Sequence, residues 1–186
     1  MMDIKRLENK IFVCLTSCFI LGLISSCFTQ KEKLEQIAIV KTAINAQDFK
    51  FVATSAQPQR TSYMFPFSNY NLVLKPMITQ NLSGLYSLSL SKDSLNCYLP
   101  YFGVVNQSIP YNTSEQGIKF ISTSFTYQKV ENKKGDFNIT IIPKDKQKAN
   151  KFYLNVNIDG SATLNVNFID RDGISFFGNI QPIIKN

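Results

Sequence analysis

The feature that most constrains this chain is an alternation with a period of two near its C-terminal end. Phe152, Leu154, Val156 and Ile158 are spaced by single intervening residues, and so are Ala162, Leu164, Val166 and Phe168. Successive side chains of a β-strand point to opposite faces, so each run presents one apolar face. Asn155, Asn157, Asn165 and Asn167 occupy alternate positions, which marks a sheet packed on one side and wet on the other. Asp159–Gly160 between the runs supplies the residue pair favoured in tight hairpins. The chain therefore has to be built around antiparallel strands.

The same pattern extends through most of the sequence. Phe49, Phe51 and Ala53 alternate with Lys50 and Val52; strands are expected again near Tyr70, Leu72 and Leu74, at 85–90 and at 95–102, the last two joined by the polar turn Ser91–Ser94. Residues 118–130 read as one strand and 136–142 as its hairpin partner across 131–135, where Gly135 offers the positive φ of a short loop. Asp170–Gly173 turns the chain into Ile174, Phe176, Gly178 and Ile180, whereas 57–67, with Pro58 and Pro66, reads as an irregular loop. Before the strands, Leu34, Ile37, Val40, Ala43 and Ile44 recur at steps of three and four, predicting an amphipathic helix over 31–47. The expected fold is α+β, mainly antiparallel β. One N-terminal helix packs on a meander of about eight or nine strands, as a rolled sheet or lipocalin-like barrel, with a two-sheet sandwich as the alternative.

The chain begins differently. Lys5, Arg6 and Lys10 precede an apolar run from Ile11 to Ile24, the charged-then-apolar order of an export signal. At about 1.5 Å per residue the run is roughly 21 Å long, short of the roughly 30 Å of a hydrocarbon core. It ends in Ile24, Ser25, Ser26, Cys27, which resembles the lipobox of bacterial lipoproteins: a branched apolar residue, two small ones, and the cysteine that receives lipid. Leu15–Cys18 has similar residue types but leaves too short an apolar stretch after Lys10. The expected organisation is a signal peptide at 1–26, a lipid anchor and tether at 27–30, and a single domain at 31–186. Acylated Cys27 would attach it to membrane lipid in the cell envelope, with the outer membrane as the expected location.

Composition excludes several classes of chemistry. The 186 residues contain no histidine, which removes the usual proton shuttle and the commonest transition-metal ligand. Of the four cysteines, only Cys27 and Cys97 follow the signal, and Cys97 lies among apolar neighbours as a core residue. The leader holds Lys5, Arg6 and Lys10 against Asp3 and Glu8, so its removal leaves +6 of the formal +7. Lys129, Lys133, Lys134, Lys144, Lys146, Lys148 and Lys151 crowd two loops and their flanking strands. They read as solvation and protection of strand edges, with contact to phosphorylated glycolipid or acidic polymer as the functional alternative; nucleic acid is not expected. No cofactor or metal is expected, since Asp159, Asp170 and Asp172 lack the spacing of a calcium loop.

Tyr98–Gly103 reads YLPYFG, followed by Ile109, Pro110, Tyr111 and then Glu115–Phe120. With the lipobox, the helix, Phe49-x-Phe51 and Ala162–Leu164, this order resembles an uncharacterised family of small Bacteroidetes-type lipoproteins. The resemblance implies the architecture and the envelope location, and it carries no catalytic or binding residues.

Tyr98, Tyr101, Phe102 and Tyr111 are the candidate ligand-binding residues: rings grouped around a Pro- and Gly-constrained loop could stack on a sugar or hold a peptide. The plainer reading has Tyr101 and Phe102 plugging one end of the sheet. Alternation sets Tyr98 opposite Cys97 and Leu99, on the wetter side. Asp93-Ser94-Leu95 has the form of an O-glycosylation acceptor, with Ser94 as the modified residue. The leading functional expectation is a non-enzymatic binding module for an envelope protein, peptide or glycan. The alternatives are a carrier of lipid or another small ligand inside a barrel, and an enzyme using carboxylates such as Asp93 or Glu115 on envelope glycans.

Overall fold

The computed structural model describes residues 34–59, 62–67, 71–76, 78–82, 85–103, 117–145 and 149–183. The segments expected as signal peptide and tether, with Cys27, and Tyr111, Glu115, Lys146 and Lys148 lie outside them. One helix, α1 (34–46), precedes twelve strands: β1 Phe49–Pro58, β2 Ser62–Phe67, β3 Asn71–Pro76, β4 Gln80–Asn81, β5 Ser87–Leu90, β6 Leu95–Leu99, β7 Ile118–Ser122, β8 Phe125–Glu131, β9 Phe137–Pro143, β10 Ala149–Val156, β11 Ser161–Phe168 and β12 Ile174–Pro182. The fold is α+β, with a mostly antiparallel sheet nearly closed into a barrel.

The main sheet runs β7-β6-β5-β1-β12-β11-β10-β9-β8, with β4 added to β1. Every pairing is antiparallel. Around the ring the strands follow chain order, and the long pairing of β1 with β12 joins the two ends of the domain. Counting directions through the alternating pairs, β7 and β8 run the same way. Separated only by Thr123 and Ser124, they are two halves of one bent strand, the first pairing with β6 and the second with β9. Taken so, the ring is β1, β5, β6, the bent strand, β9, β10, β11 and β12, the even number that an all-antiparallel ring requires. The single strand expected at 118–130 is thus one path through two pairings. Ser122 pairs with Leu95 whereas Phe125 pairs with Pro143, and this stagger is what tilted staves of a barrel impose.

Alternation does the work foreseen for it. Phe49, Phe51, Leu88, Leu90, Leu95, Cys97, Ile141, Phe152, Leu154, Leu164, Val166, Ile174 and Phe176 have no accessible surface. Phe120 reaches across to Phe152, ring centroids 5.9 Å apart. At β1 the register slips between Ala53 and Ser55; this bulge turns Ala56 inward after Ala53, and both are buried. A Cβ on Gly178, facing it on β12, would lie 2.0 Å from the Val52 carbonyl oxygen, so only glycine permits this backbone approach.

Helix α1 contributes Val40, Ala43 and Ile44 to the core. Leu34, expected on the apolar face, is exposed. The helix ends in a Schellman motif: Asp48 N–H donates to Ala43 O at 3.0 Å and Gln47 N–H to Ile44 O at 3.2 Å, with Gln47 at φ 54°. The residue at the left-handed position is a glutamine, which is why no glycine announces this stop.

Three strand limits differ from expectation. Residues 57–67 are not an irregular loop: β1 continues to Pro58, and β2 pairs with β3 in a separate two-stranded sheet. Pro66 pairs with Leu72 there; a ribbon of two strands has free edges, where a residue lacking N–H is tolerated. β6 stops at Leu99 because Pro100 has no ladder donor. The strand number agrees with the eight or nine expected: the sheet's ten segments count the bent strand twice and include the two-residue β4.

Candidate functional site

The two ends of the barrel are built from different materials. At the end beside α1, two hairpin turns have the same form. Asn132 N–H donates to Asp136 O and Gly135 N–H to Asn132 O; Asn157 N–H donates to Ser161 O and Gly160 N–H to Asn157 O. Gly135 and Gly160 have φ of 87° and 86°, and no residue preceding them has positive φ, so each is a type I turn with a glycine bulge rather than a two-residue mirror-image turn. Asp159 Oδ1 accepts from Ser161 N–H at 3.0 Å and Ser161 Oγ at 2.7 Å. Asp136 Oδ1 accepts from Ile158 N–H at 3.0 Å, tying the turns together. Lys41 pairs with Glu131 at 2.7 Å, and Lys129 donates to Asn45, so α1 is fastened to the rim of β8.

The other end is held by Arg171. Its side chain is buried; Nε and Nη2 donate to the two carboxylate oxygens of Asp170 at 3.0 and 2.9 Å. Its guanidinium lies 5.0 Å from the Tyr101 ring centroid and 5.5 Å from that of Phe168, and those rings meet edge to face at 5.4 Å. Tyr101 OH donates to the Asp172 carbonyl at 2.9 Å. Burial first, and then the Asp172 carboxylate, push the Tyr101 phenol well above its ordinary range, with Arg171 opposing. Tyr101 thus clasps the segment after β6 to the β11–β12 turn. Phe102, expected to plug the sheet beside it, is exposed.

Tyr98 takes the outward position alternation assigned to it: 47% exposed, between Cys97 at 0% and Leu99 at 1%. Its ring stacks on Tyr86 at 5.5 Å, and Lys119 Nζ sits 5.6 Å from its centroid. Ser87, Tyr98 and Lys119 form one cross-strand row over β5, β6 and β7. Leu85, beside Tyr86, is 80% exposed. Of the four expected ligand-binding rings, Tyr98 and Phe102 are open, Tyr101 is structural and Tyr111 is outside the described residues. Tyr86 and Lys119 were missed; the pairing of β5 with β6 was expected, but the register that brings their rings together was not.

The remaining candidates resolve into local roles. Cys97 is buried, and desolvation pushes its thiol far above the range of a nucleophile. Asp170 is engaged by Arg171 and Asp159 by its own turn, and among the described residues no group of three or more acidic, His or Cys side chains could hold a metal ion. Ser94 is half-buried in the turn closed by Ser91 N–H to Ser94 O, with Asp93 exposed and Leu95 buried. Among the described lysines, Lys129 lies 5.5 Å from the Phe137 ring, Lys151 lies 5.6 Å from that of Tyr153, and Lys133 and Lys134 occupy a turn. Among the described residues no helix is long and apolar enough to cross a membrane.

A helix packed on a nearly closed antiparallel barrel with an apolar core, and with Tyr98 and Phe102 open on its outside, defines a small α+β barrel domain. The chain belongs to the family described as Domain of unknown function (DUF4251), whose model matches residues 31–180. A similar solved structure is a DUF4251 family protein from Bacteroides eggerthii DSM 20697, with 14% identity, a TM-score of 0.55, and coverage of 82% of this chain and 91% of that one. At that identity the likeness concerns the fold. No curated protein matches the chain.

Proposed function

We propose that this is a lipid-anchored protein of the cell envelope whose barrel is a scaffold for non-enzymatic binding on its outer surface, with Tyr98, its neighbours Tyr86 and Lys119, and Phe102 as the contact residues. The observation carrying this reading is the contrast between the fully buried rings of the core and the open rings of Tyr98 and Phe102 outside. A ligand-sized void would leave the side chains around it accessible to a water-sized sphere; Phe49, Phe51, Phe152 and Phe176 are 0% exposed, and only the β7–β8 side, where inward-facing Phe120, Phe125 and Tyr127 are half-buried, keeps such access among the described residues. The carrier alternative is thereby confined to the β7–β8 side of the interior. The carboxylate-enzyme alternative draws no support from Asp136, Asp159 and Asp170, each taken up in local hydrogen bonds.

Anchoring is supported by the Ile24–Cys27 sequence and by a family match that begins at residue 31, just beyond it. Exposed tyrosine with a neighbouring lysine suits an envelope polypeptide or glycan, since aromatic faces supply rigid contact area and a cation adds hydrogen bonds.

The test is capture of partners from native envelope by the wild-type protein and by Tyr98→Ala/Phe102→Ala. The double variant should lose specific partners while its melting temperature holds; unchanged capture would move the site elsewhere. Tyr101 is unsuited to this comparison because its loss disturbs the clasp. Intact-mass analysis of protein from its native host should show cleavage before Cys27 and acylation of it, and a peptide map should reveal whether Ser94 carries a glycan.

A further inference from the structure

We infer that the barrel end formed by the 132–136 and 157–161 turns faces the bilayer and makes a direct contact with anionic lipid headgroups through Lys133, Lys134 and Ile158. This deepens the anchoring reading above and rests on it. Six residues separate Cys27 from Leu34, a reach of about 25 Å at full extension. The helix that follows runs to this end: Val40 lies 3.0 Å from where a Cβ on Gly160 would be, and Lys41 pairs with Glu131 immediately before the 132–136 turn. Along the chain, the residue expected to carry lipid therefore precedes Val40, which abuts the 157–161 turn, by thirteen residues.

The chemistry of the face fits that neighbour. Ile158 is 47% exposed at the tip of the β10–β11 turn, an apolar side chain where turns usually carry polar ones. It lies beside Gly135, its Cδ1 3.3 Å from where a Cβ there would be, so it sits next to Lys134. Lys133 and Lys134 are exposed and form no ion pair among the described residues. The acids nearby are committed: Glu131 to Lys41, Asp136 to the Ile158 N–H and the Asn132 amide, and Asp159 to Ser161. An apolar tip beside two unpaired lysines combines burial into the headgroup layer with attraction to anionic lipid. The Tyr101–Arg171 end presents no such pair of lysines among its described residues. With this end down, Phe102 and the clasp face away from the membrane.

Two arms test the inference separately from the anchor. In the full lipoprotein reconstituted into phosphatidylethanolamine–phosphatidylglycerol vesicles, a fluorophore at Ile158→Cys should be quenched by headgroup-labelled lipid, and one at Ile169→Cys, in the β11–β12 turn, should not; buried Cys97 will not compete for label. In the second arm the Cys27→Ser chain, which cannot be acylated, is sedimented with the same vesicles and with phosphatidylcholine vesicles at low salt. It should bind only the anionic ones, and Lys133→Glu/Lys134→Glu should weaken that binding about tenfold or more, as two charges near such a surface imply. Equal quenching at both positions, or no preference for anionic vesicles, overturns the inference. An unacylated native mass overturns the anchor alone, and the second arm still reads the face.

Discussion

The two ends of the barrel are closed by opposite means. Beside α1, closure is local in sequence: two glycine-bulge turns, an aspartate holding each turn, and three helical side chains, Val40, Ala43 and Ile44, seated on the core. At the other end, closure depends on Tyr101 and Arg171, which are seventy residues apart in the chain yet share a cation–π contact, beside a buried ion pair. The first kind of closure adds up from small increments. The second fails as a unit, because losing the one buried guanidinium undoes its hydrogen bonds to Asp170 and its contacts with the Tyr101 and Phe168 rings together.

Substitutions at the two ends sharpen this difference. Arg171→Ala should have the largest effect, about 3–5 kcal/mol from chemical denaturation, since it removes the buried guanidinium that donates twice to Asp170 and lies against the Tyr101 and Phe168 rings; Arg171→Ala/Asp170→Ala should recover part of that loss, and a double variant no better than the single would refute the pairing. Ile44→Ala at the helix end should cost about 2–4 kcal/mol by removing fully buried methyl groups, with no such rescue by a second truncation nearby. A loss much larger than this would mean that α1 is a keystone rather than one increment among several.

Smaller effects probe the interior and the helix stop. Tyr127 on β8 has a buried hydroxyl with no hydrogen-bond partner, and burial pushes its phenol up to about 12. Tyr127→Phe should therefore stabilise the protein by about 1 kcal/mol, because an unsatisfied buried donor is removed. Tyr101 and Tyr127 both hold their protons more tightly folded than unfolded. Their contributions are intact below the ordinary tyrosine value near 10, and stability should fall as pH rises from about 10 towards 12. Guanidinium melts across that range should decline less steeply for Tyr127→Phe. Gln47→Gly should add up to about 1 kcal/mol by relieving a side chain at positive φ, measured as a raised denaturation midpoint.

What could be read from the sequence follows the same division. Period-two stripes at 49–53, 95–99, 152–156 and 162–168 gave strands with the correct faces, because burial on one side of a sheet leaves a local signature. Gly135 and Gly160 marked their turns for the same reason. The bend at Thr123–Ser124 was hidden, since a strand that changes partner without changing direction keeps its residue types. β2 was hidden behind Pro66, whose tolerance depends on its strand having a free edge. The Arg171 clasp could not be read either: Asp170–Gly173 looks like any turn until Tyr101 is brought over it. Tyr98 was placed outward by alternation alone, whereas its partners Tyr86 and Lys119 needed the register of three strands.

The claim on which the functional reading depends is that this barrel carries no small ligand and works from outside. Native mass spectrometry of protein extracted gently from its own envelope measures that directly. The account predicts the mass of the processed chain with its covalent acyl groups and nothing else of small-molecule size; a stoichiometric lipid or metabolite released only on unfolding would contradict it.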